Sequence, residues 1–140
     1  MQAGDPQPLS VLIVEDQPDV AESLKLFLEL CGGYEVAVAT DGEAGIAAAV
    51  AHRPAAVVCD IGLPKKDGFQ VAEELTVSLP RVPLLIAVTG YGTKDVEDRA
   101  RHAGFQHFVV KPADPFQLEG LLREYRNRLA ARVEPPPSRT

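Results

Sequence analysis

Five polar positions in this 140-residue sequence are of types that can do chemistry together: Glu15 and Asp16, Asp60, Thr89 and Lys111. Each follows a short apolar run. Val11-Leu12-Ile13-Val14 precedes the acidic pair, Ala55-Ala56-Val57-Val58-Cys59 precedes Asp60, Leu84-Leu85-Ile86-Ala87-Val88 precedes Thr89, and Phe108-Val109-Val110 precedes Lys111. Three carboxylates in one place repel unless a cation intervenes. Hard oxygen ligands with room for water suit Mg²⁺, which takes one or two protein carboxylates plus phosphate oxygens. An Asp beside such an ion can act as a nucleophile toward a phosphoryl group, giving an aspartyl phosphate. A lysine and a hydroxyl then neutralise and hydrogen-bond the equatorial oxygens of a loose transition state. Taken singly, most of these residues have plainer readings. Asp16 fits a helix N-cap, with Pro18 where an early turn tolerates it; Glu15 fits a solvated strand end, Thr89 a turn, and Lys111 a surface lysine before Pro112. Asp60 has no such reading, because Ile61-Gly62-Leu63-Pro64 follows it rather than a helix.

The elements that must position these residues are legible in the hydrophobic pattern. The apolar runs are short and largely β-branched, as strands buried on both faces should be. Glu35-Val36-Ala37-Val38-Ala39 partly alternates and suits an edge strand. Helical spacing intervenes each time. Val20, Leu24, Phe27, Leu28 and Cys31 form the first such row, stopped by Gly32-Gly33, and an Ala-rich helix runs from Asp41 or Gly42 to His52. Val71, Leu75 and Leu79 line a third helix, Lys94 to Ala103 form a short polar fourth, and Phe116, Leu118, Leu121, Leu122, Tyr125 and Leu129 mark the fifth. Five strand–helix units imply an α/β protein with a parallel sheet, helices on both faces and right-handed crossovers. The expected fold is the flavodoxin-like (βα)5 doubly wound sheet, strand order 2-1-3-4-5. Sites in such sheets form beyond the carboxyl ends of the strands, at the switch between strands 1 and 3. That topology puts the three carboxylates in one pocket, with Thr89 and Lys111 on its far side.

Composition narrows the class. With 20 Asp+Glu against 14 Lys+Arg, the net charge is -6, which argues against nucleic acid as a direct partner. No window is long and apolar enough for a membrane span, so a soluble cytoplasmic domain is expected. Cys31 and Cys59 are too few for a disulfide framework and lack metal-ligand spacing. Residues 1–8 read as a lead-in, 9–132 as the domain, and 133–140, with Pro135-Pro136-Pro137, as a tail or linker end. Arg123, Arg126 and Arg128 give the last helix a basic surplus suited to a partner with an acidic patch. Other chemistries lack parts: no Gly-rich turn follows strand 1 for a dinucleotide, and no aromatic platform serves a sugar. None of His52, His102 and His107 pairs with a Ser or Cys nucleophile. A buried Cys59 is read as a small hydrophobe, and Lys65-Lys66 as a solvated loop or a docking spot.

Together, Val-Leu-Ile-Val-Glu15-Asp16, Val-Val-Cys-Asp60-Ile-Gly-Leu-Pro64-Lys-Lys-Asp-Gly68, Val-Thr89-Gly90 and Phe108-Val-Val-Lys111-Pro112 resemble the receiver domain of two-component response regulators. The resemblance covers about residues 9–132. It implies that Asp60 accepts a phosphoryl group from a phosphohistidine on a sensor histidine kinase or a histidine phosphotransfer protein. It implies Mg²⁺, or Mn²⁺ as a substitute, held by Glu15, Asp16, Asp60 and the backbone carbonyl of Gly62. Thr89 resembles the switch hydroxyl, Lys111 the lysine that bonds the phosphoryl group, Phe108 the switch aromatic, and Pro112 the proline after a cis peptide. Phe108 lacks the hydroxyl of the commoner tyrosine, while Gly62 and Tyr91 occupy the positions that influence phosphoryl lifetime. The implied activity is that of a signalling phosphoacceptor, not an enzyme: it catalyses only its own phosphorylation and dephosphorylation. Helix 4, strand 5 and helix 5 form the expected output face toward a downstream target, with a homodimer left open. With no output domain after helix 5, the expectation is a stand-alone receiver or one excised from a hybrid sensor histidine kinase. A phosphorylation-independent docking module and a metal-dependent phosphatase are the weaker alternatives.

Overall fold

The computed structural model describes residues 7–133. Its elements are β1 (Leu9–Val14), α1 (Pro18–Cys31), β2 (Tyr34–Ala39), α2 (Gly42–His52), β3 (Ala56–Asp60), α3 (Gly68–Ser78), β4 (Leu84–Thr89), α4 (Lys94–Ala103), β5 (His107–Val110) and α5 (Pro115–Val133). The five strands are parallel in the order β2-β1-β3-β4-β5, the flavodoxin-like sheet the pattern predicts. The lead-in and the Pro-rich tail lie outside the described residues, apart from one or two positions at each boundary.

Strand burial follows sheet position. β3 and β4, at the centre, are buried at every residue, whereas β2 alternates and forms one edge. Because successive side chains point to opposite faces, the core divides into two layers. Leu12, Val57 and Leu85 meet Ala49 of α2, Leu75 of α3 and Ala100 of α4. Ile13, Val58 and Ile86 meet Leu28 of α1 with Leu118 and Leu122 of α5. Local signals set the helix ends. Asp41 accepts a hydrogen bond from Ala44 N–H, and Asp67 and Gln70 form a capping box at α3. Leu79 is the C-cap of α3 rather than part of its helical row, since Pro80 disfavours helical backbone in the residue before it. It is still buried.

The apolar row of α1 is less buried than its spacing predicts. Leu28 is fully buried and Leu24 and Phe27 partly, but Val20 and Cys31 are exposed. Val20 lines a groove between α1 and α5, and Cys31 is the last residue of the helix, beside its Gly32 cap. At the C-terminal end of α1, Arg126 of α5 donates to the carbonyls of Gly32 (3.4 Å) and Gly33 (3.2 Å) and stacks over the Tyr34 ring. Tyr34 OH in turn donates to Glu119 at 2.8 Å. Toward its N-terminal end, α1 is separated from α5 by a mainly apolar groove of about 870 Å³. Phe27 spans it by an edge-on contact with the exposed Phe116, ring centres 5.0 Å apart.

Candidate functional site

Register brings the polar residues together. Val14 pairs with Cys59, so Glu15 emerges beside Asp60; Asp60 pairs with Val88, and Thr89 with Val110, so Lys111 follows on the next strand. The ladder continues one residue past the strand ends: Glu15 N–H donates to Ala39 O (3.0 Å), Ile61 N–H to Val88 O (3.0 Å) and Lys111 N–H to Thr89 O (2.7 Å). The site backbone is thus an extension of the sheet, not a free loop.

Glu15, Asp60 and Thr89 are buried, while Asp16 is exposed. Carboxylate oxygens of Glu15, Asp16 and Asp60 all lie within 4.8 Å of one another. The N-cap of α1 is Gln17, whose side chain makes no capping bond. Asp16 is therefore not the cap its sequence position also suited, and its carboxylate stays with the cluster. Lys111 Nζ lies 2.7 Å from Asp60 Oδ2 and 3.6 Å from Glu15 Oε1. The Lys111–Pro112 peptide is cis, as the resemblance implies. Asp60 Oδ1 accepts from Gly62 N–H at 3.0 Å, Glu15 Oε2 from Gln17 N–H at 3.0 Å, and Thr89 Oγ1 from Tyr91 N–H at 3.1 Å. These three backbone donors were not foreseen from the sequence, where the only signal is the short polar loop after each strand.

Charge in the cluster is held under tension. Burial raises the Glu15 carboxyl above its ordinary value, and the neighbouring Asp60 charge adds to this against the Gln17 N–H bond. For Lys111, burial alone would favour the neutral amine, but the Asp60 hydrogen bond and the charges of Asp60 and Glu15 outweigh it and raise the ammonium. A divalent cation would relieve the same repulsion. Three oxygen-donor side chains, one of them exposed, fit Mg²⁺ with retained water better than a closed nitrogen–sulfur site.

The surroundings are consistent with a site that admits a ligand. A Cβ at Gly62 would meet only Asp60 Oδ1 at 3.9 Å, so that side of Asp60 is open. Gly68 is required for another reason: a Cβ there would fall 2.6 Å from Ile61 Cα, so only glycine lets α3 start against the Asp60 loop. Tyr91 is 74% exposed. Phe108 is half-buried and packs on the α2–α3–α4 layer. Lys65 lies 3.8 Å from Asp41 and Lys66 pairs with Glu74, so both loop lysines have acidic neighbours. Cys59 is fully buried, and burial followed by the nearby Asp60 charge pushes its thiol far up, consistent with an inert hydrophobe. The α1–α5 groove opens beside Asp60 and Lys111, a cleft the sequence did not reveal.

The chain matches the family model of the response regulator receiver domain over residues 11–123. It is 36% identical over 129 residues to the probable transcriptional regulatory protein TcrX of Mycobacterium tuberculosis, a match covering 90% of this chain and 52% of TcrX. It is 30% identical over 119 residues to an uncharacterized 14.6 kDa protein of Leptolyngbya boryana, covering 84% and 89% of the two. Among solved structures, a CheY-like response regulator receiver domain protein from Methanospirillum hungatei matches with a TM-score of 0.81 at 27% identity, covering 90% of this chain and 99% of that one. This chain belongs to the response regulator receiver domain family of two-component systems. It spans about half the length of TcrX and of response regulator Rre1 of Synechocystis. The relatives are named as response regulators and transcriptional regulatory proteins, which does not favour origin in a hybrid sensor kinase. No helix among the described residues is long and apolar enough to cross a membrane.

Proposed function

We propose that Asp60 is the phosphoacceptor of this receiver, taking a phosphoryl group from a phosphohistidine on a sensor histidine kinase or a histidine phosphotransfer protein. The observation that carries this is the placement of a buried Asp60 against Lys111 Nζ at 2.7 Å, with two further carboxylates within 4.8 Å. An Asp60 oxygen attacks phosphorus, the P–O bond forms, and the P–N bond breaks. The imidazole leaves with the electron pair and takes up a proton. Gly62 N–H and Lys111 hold the two Asp60 oxygens before attack and so fix the carboxylate plane. Glu15, Asp16, Asp60 and the Gly62 carbonyl would hold Mg²⁺, or Mn²⁺ in its place. When bound, the ion supplies positive charge where phosphoryl oxygens and carboxylates crowd together. Lys111 then hydrogen-bonds the transferred group, and the Thr89 hydroxyl donates to a phosphoryl oxygen.

Adding roughly two negative charges beside Thr89 and Lys111 biases the nearby loop. Phe108 turns further inward as Thr89 moves, and the α4–β5–α5 surface changes toward a downstream target or a second copy. On this reading the chain acts only on its own phosphoryl group and works in the cytoplasm. The test is transfer from a radiolabelled phosphohistidine protein. Label passes to the 140-residue chain with Mg²⁺ and does not with chelator present. Equal transfer with and without the metal contradicts the reading.

A further inference from the structure

At the amino end of the sheet, opposite Asp60, a second concavity of about 410 Å³ lies between the start of β5 and the C-terminal half of α5. Its size falls within the range of small-ligand pockets. Gln106 and His107 line it from the strand side, and Glu124, Tyr125, Arg128 and Arg132 from the helix. Glu124, Arg128 and Arg132 recur at intervals of four, so they form one column on the face of α5. We infer that this concavity is a binding site for a small phosphate-bearing anion, gripped by Arg128 and Arg132 with His107 and Gln106 as further donors.

Three observations support this. First, charge is inverted locally: the chain is acidic overall, yet Glu124 is the sole carboxylate in a lining with two arginines. Second, the arginines are disposed toward the cavity. Among the described residues neither forms an ion pair, whereas Lys94, Arg101 and Arg123 each pair with an acid four residues away. Arg128 instead lies over the Tyr125 ring, 5.8 Å from its centre, which leaves its N–H groups for another acceptor. Third, His107 experiences the positive field. Burial first, then Arg128, depresses its pKa, with Glu124 opposing and Arg101 adding to the effect. Guanidinium groups bond phosphate in a bidentate manner, and the tyrosine ring offers a flat apolar wall to whatever bears the phosphate. The site shares no residue with the Asp60 cluster, so it stands independently of the phosphoacceptor reading.

The test is an amide-resolved NMR titration of the full chain with inorganic phosphate, pyrophosphate and adenosine monophosphate, against sodium chloride at matched ionic strength. Saturable shifts are expected at Gln106, His107 and residues 124–132, and they persist in Asp60→Asn. Arg128→Gln with Arg132→Gln weakens binding by about tenfold or more, while Glu124→Gln tightens it. Preference for adenosine monophosphate over inorganic phosphate identifies a nucleotide-like ligand; equal binding identifies the free anion. Shifts that match the chloride control, or that survive in the double arginine variant, overturn the inference.

Discussion

Lys111 carries the electrostatics of the carboxylate cluster. Its ammonium is the one cation that touches both Asp60 and Glu15 among the described residues, and removing one partner of such a cluster leaves charge buried and unpaired. Lys111→Met is expected to destabilise the metal-free protein by about 1–2 kcal/mol, the one-third exposure of the lysine screening part of the loss. Added Mg²⁺ should then recover more stability in the variant than in the parent. Urea unfolding with and without Mg²⁺ reads both effects, and an unchanged midpoint would sink the idea. His107 offers a separate residue-level prediction. Burial and Arg128 hold its folded pKa below the ordinary 6.5, so the unfolded chain binds the proton more readily. This contribution is complete above 6.5 and is lost as pH falls from there through the lowered folded value. Denaturant midpoints measured from about pH 7.5 down to pH 5 should fall less steeply in His107→Gln. Identical slopes in both proteins would exclude it.

At the scale of elements, α4 is held by few apolar side chains. Its apolar contacts are Val96, Ala100 and Ala103, as the sequence shows. A tie invisible in the sequence is Arg99, whose guanidinium lies 4.2 Å from the centre of the buried Phe69 ring at the start of α3. A contact of this kind contributes roughly 0.5–2 kcal/mol, a large share for a helix with so little apolar anchoring. Arg99→Ala should speed hydrogen exchange across residues 94–103 while leaving the amides of β1 and β3 unchanged. Uniform acceleration throughout the chain would mean that Arg99 supports global stability instead. α1 shows where sequence spacing loses its force. The row Val20, Leu24, Phe27, Leu28 and Cys31 looks like a buried stripe. Leu28 is buried, but Val20 lines the groove between α1 and α5 and Cys31 ends the helix exposed, and neither placement is written in the spacing. Strand ends were readable because apolar runs stop abruptly at Glu15, Asp60, Thr89 and Lys111. The groove beside them was not, since its walls come from α1 and from the Lys111–Leu118 stretch, far apart in the sequence.

For the whole molecule, the acidic excess acquires a location. Glu15, Asp16 and Asp60 gather at the carboxyl end of the sheet, and Arg128 and Arg132 flank its amino end. The carboxylate cluster and the basic end of α5 therefore belong to opposite rims of one sheet, joined through β5, which begins at His107 and ends just before Lys111. Under the phosphoacceptor reading, a phosphoryl mimic with Mg²⁺ should shift amides in the Thr89–Lys94 loop, α4, β5 and α5 far more than those in α2. Shifts confined to residues touching Asp60 would show a phosphoacceptor without the proposed output face. The most direct test of the central claim is intact-mass measurement after treatment with a small acyl phosphate. With Mg²⁺, the parent chain and Asp95→Asn should each gain a single phosphoryl group, and Asp60→Asn should gain none. Labelling of Asp60→Asn, or failure of the parent to label with Mg²⁺ present, would contradict the account.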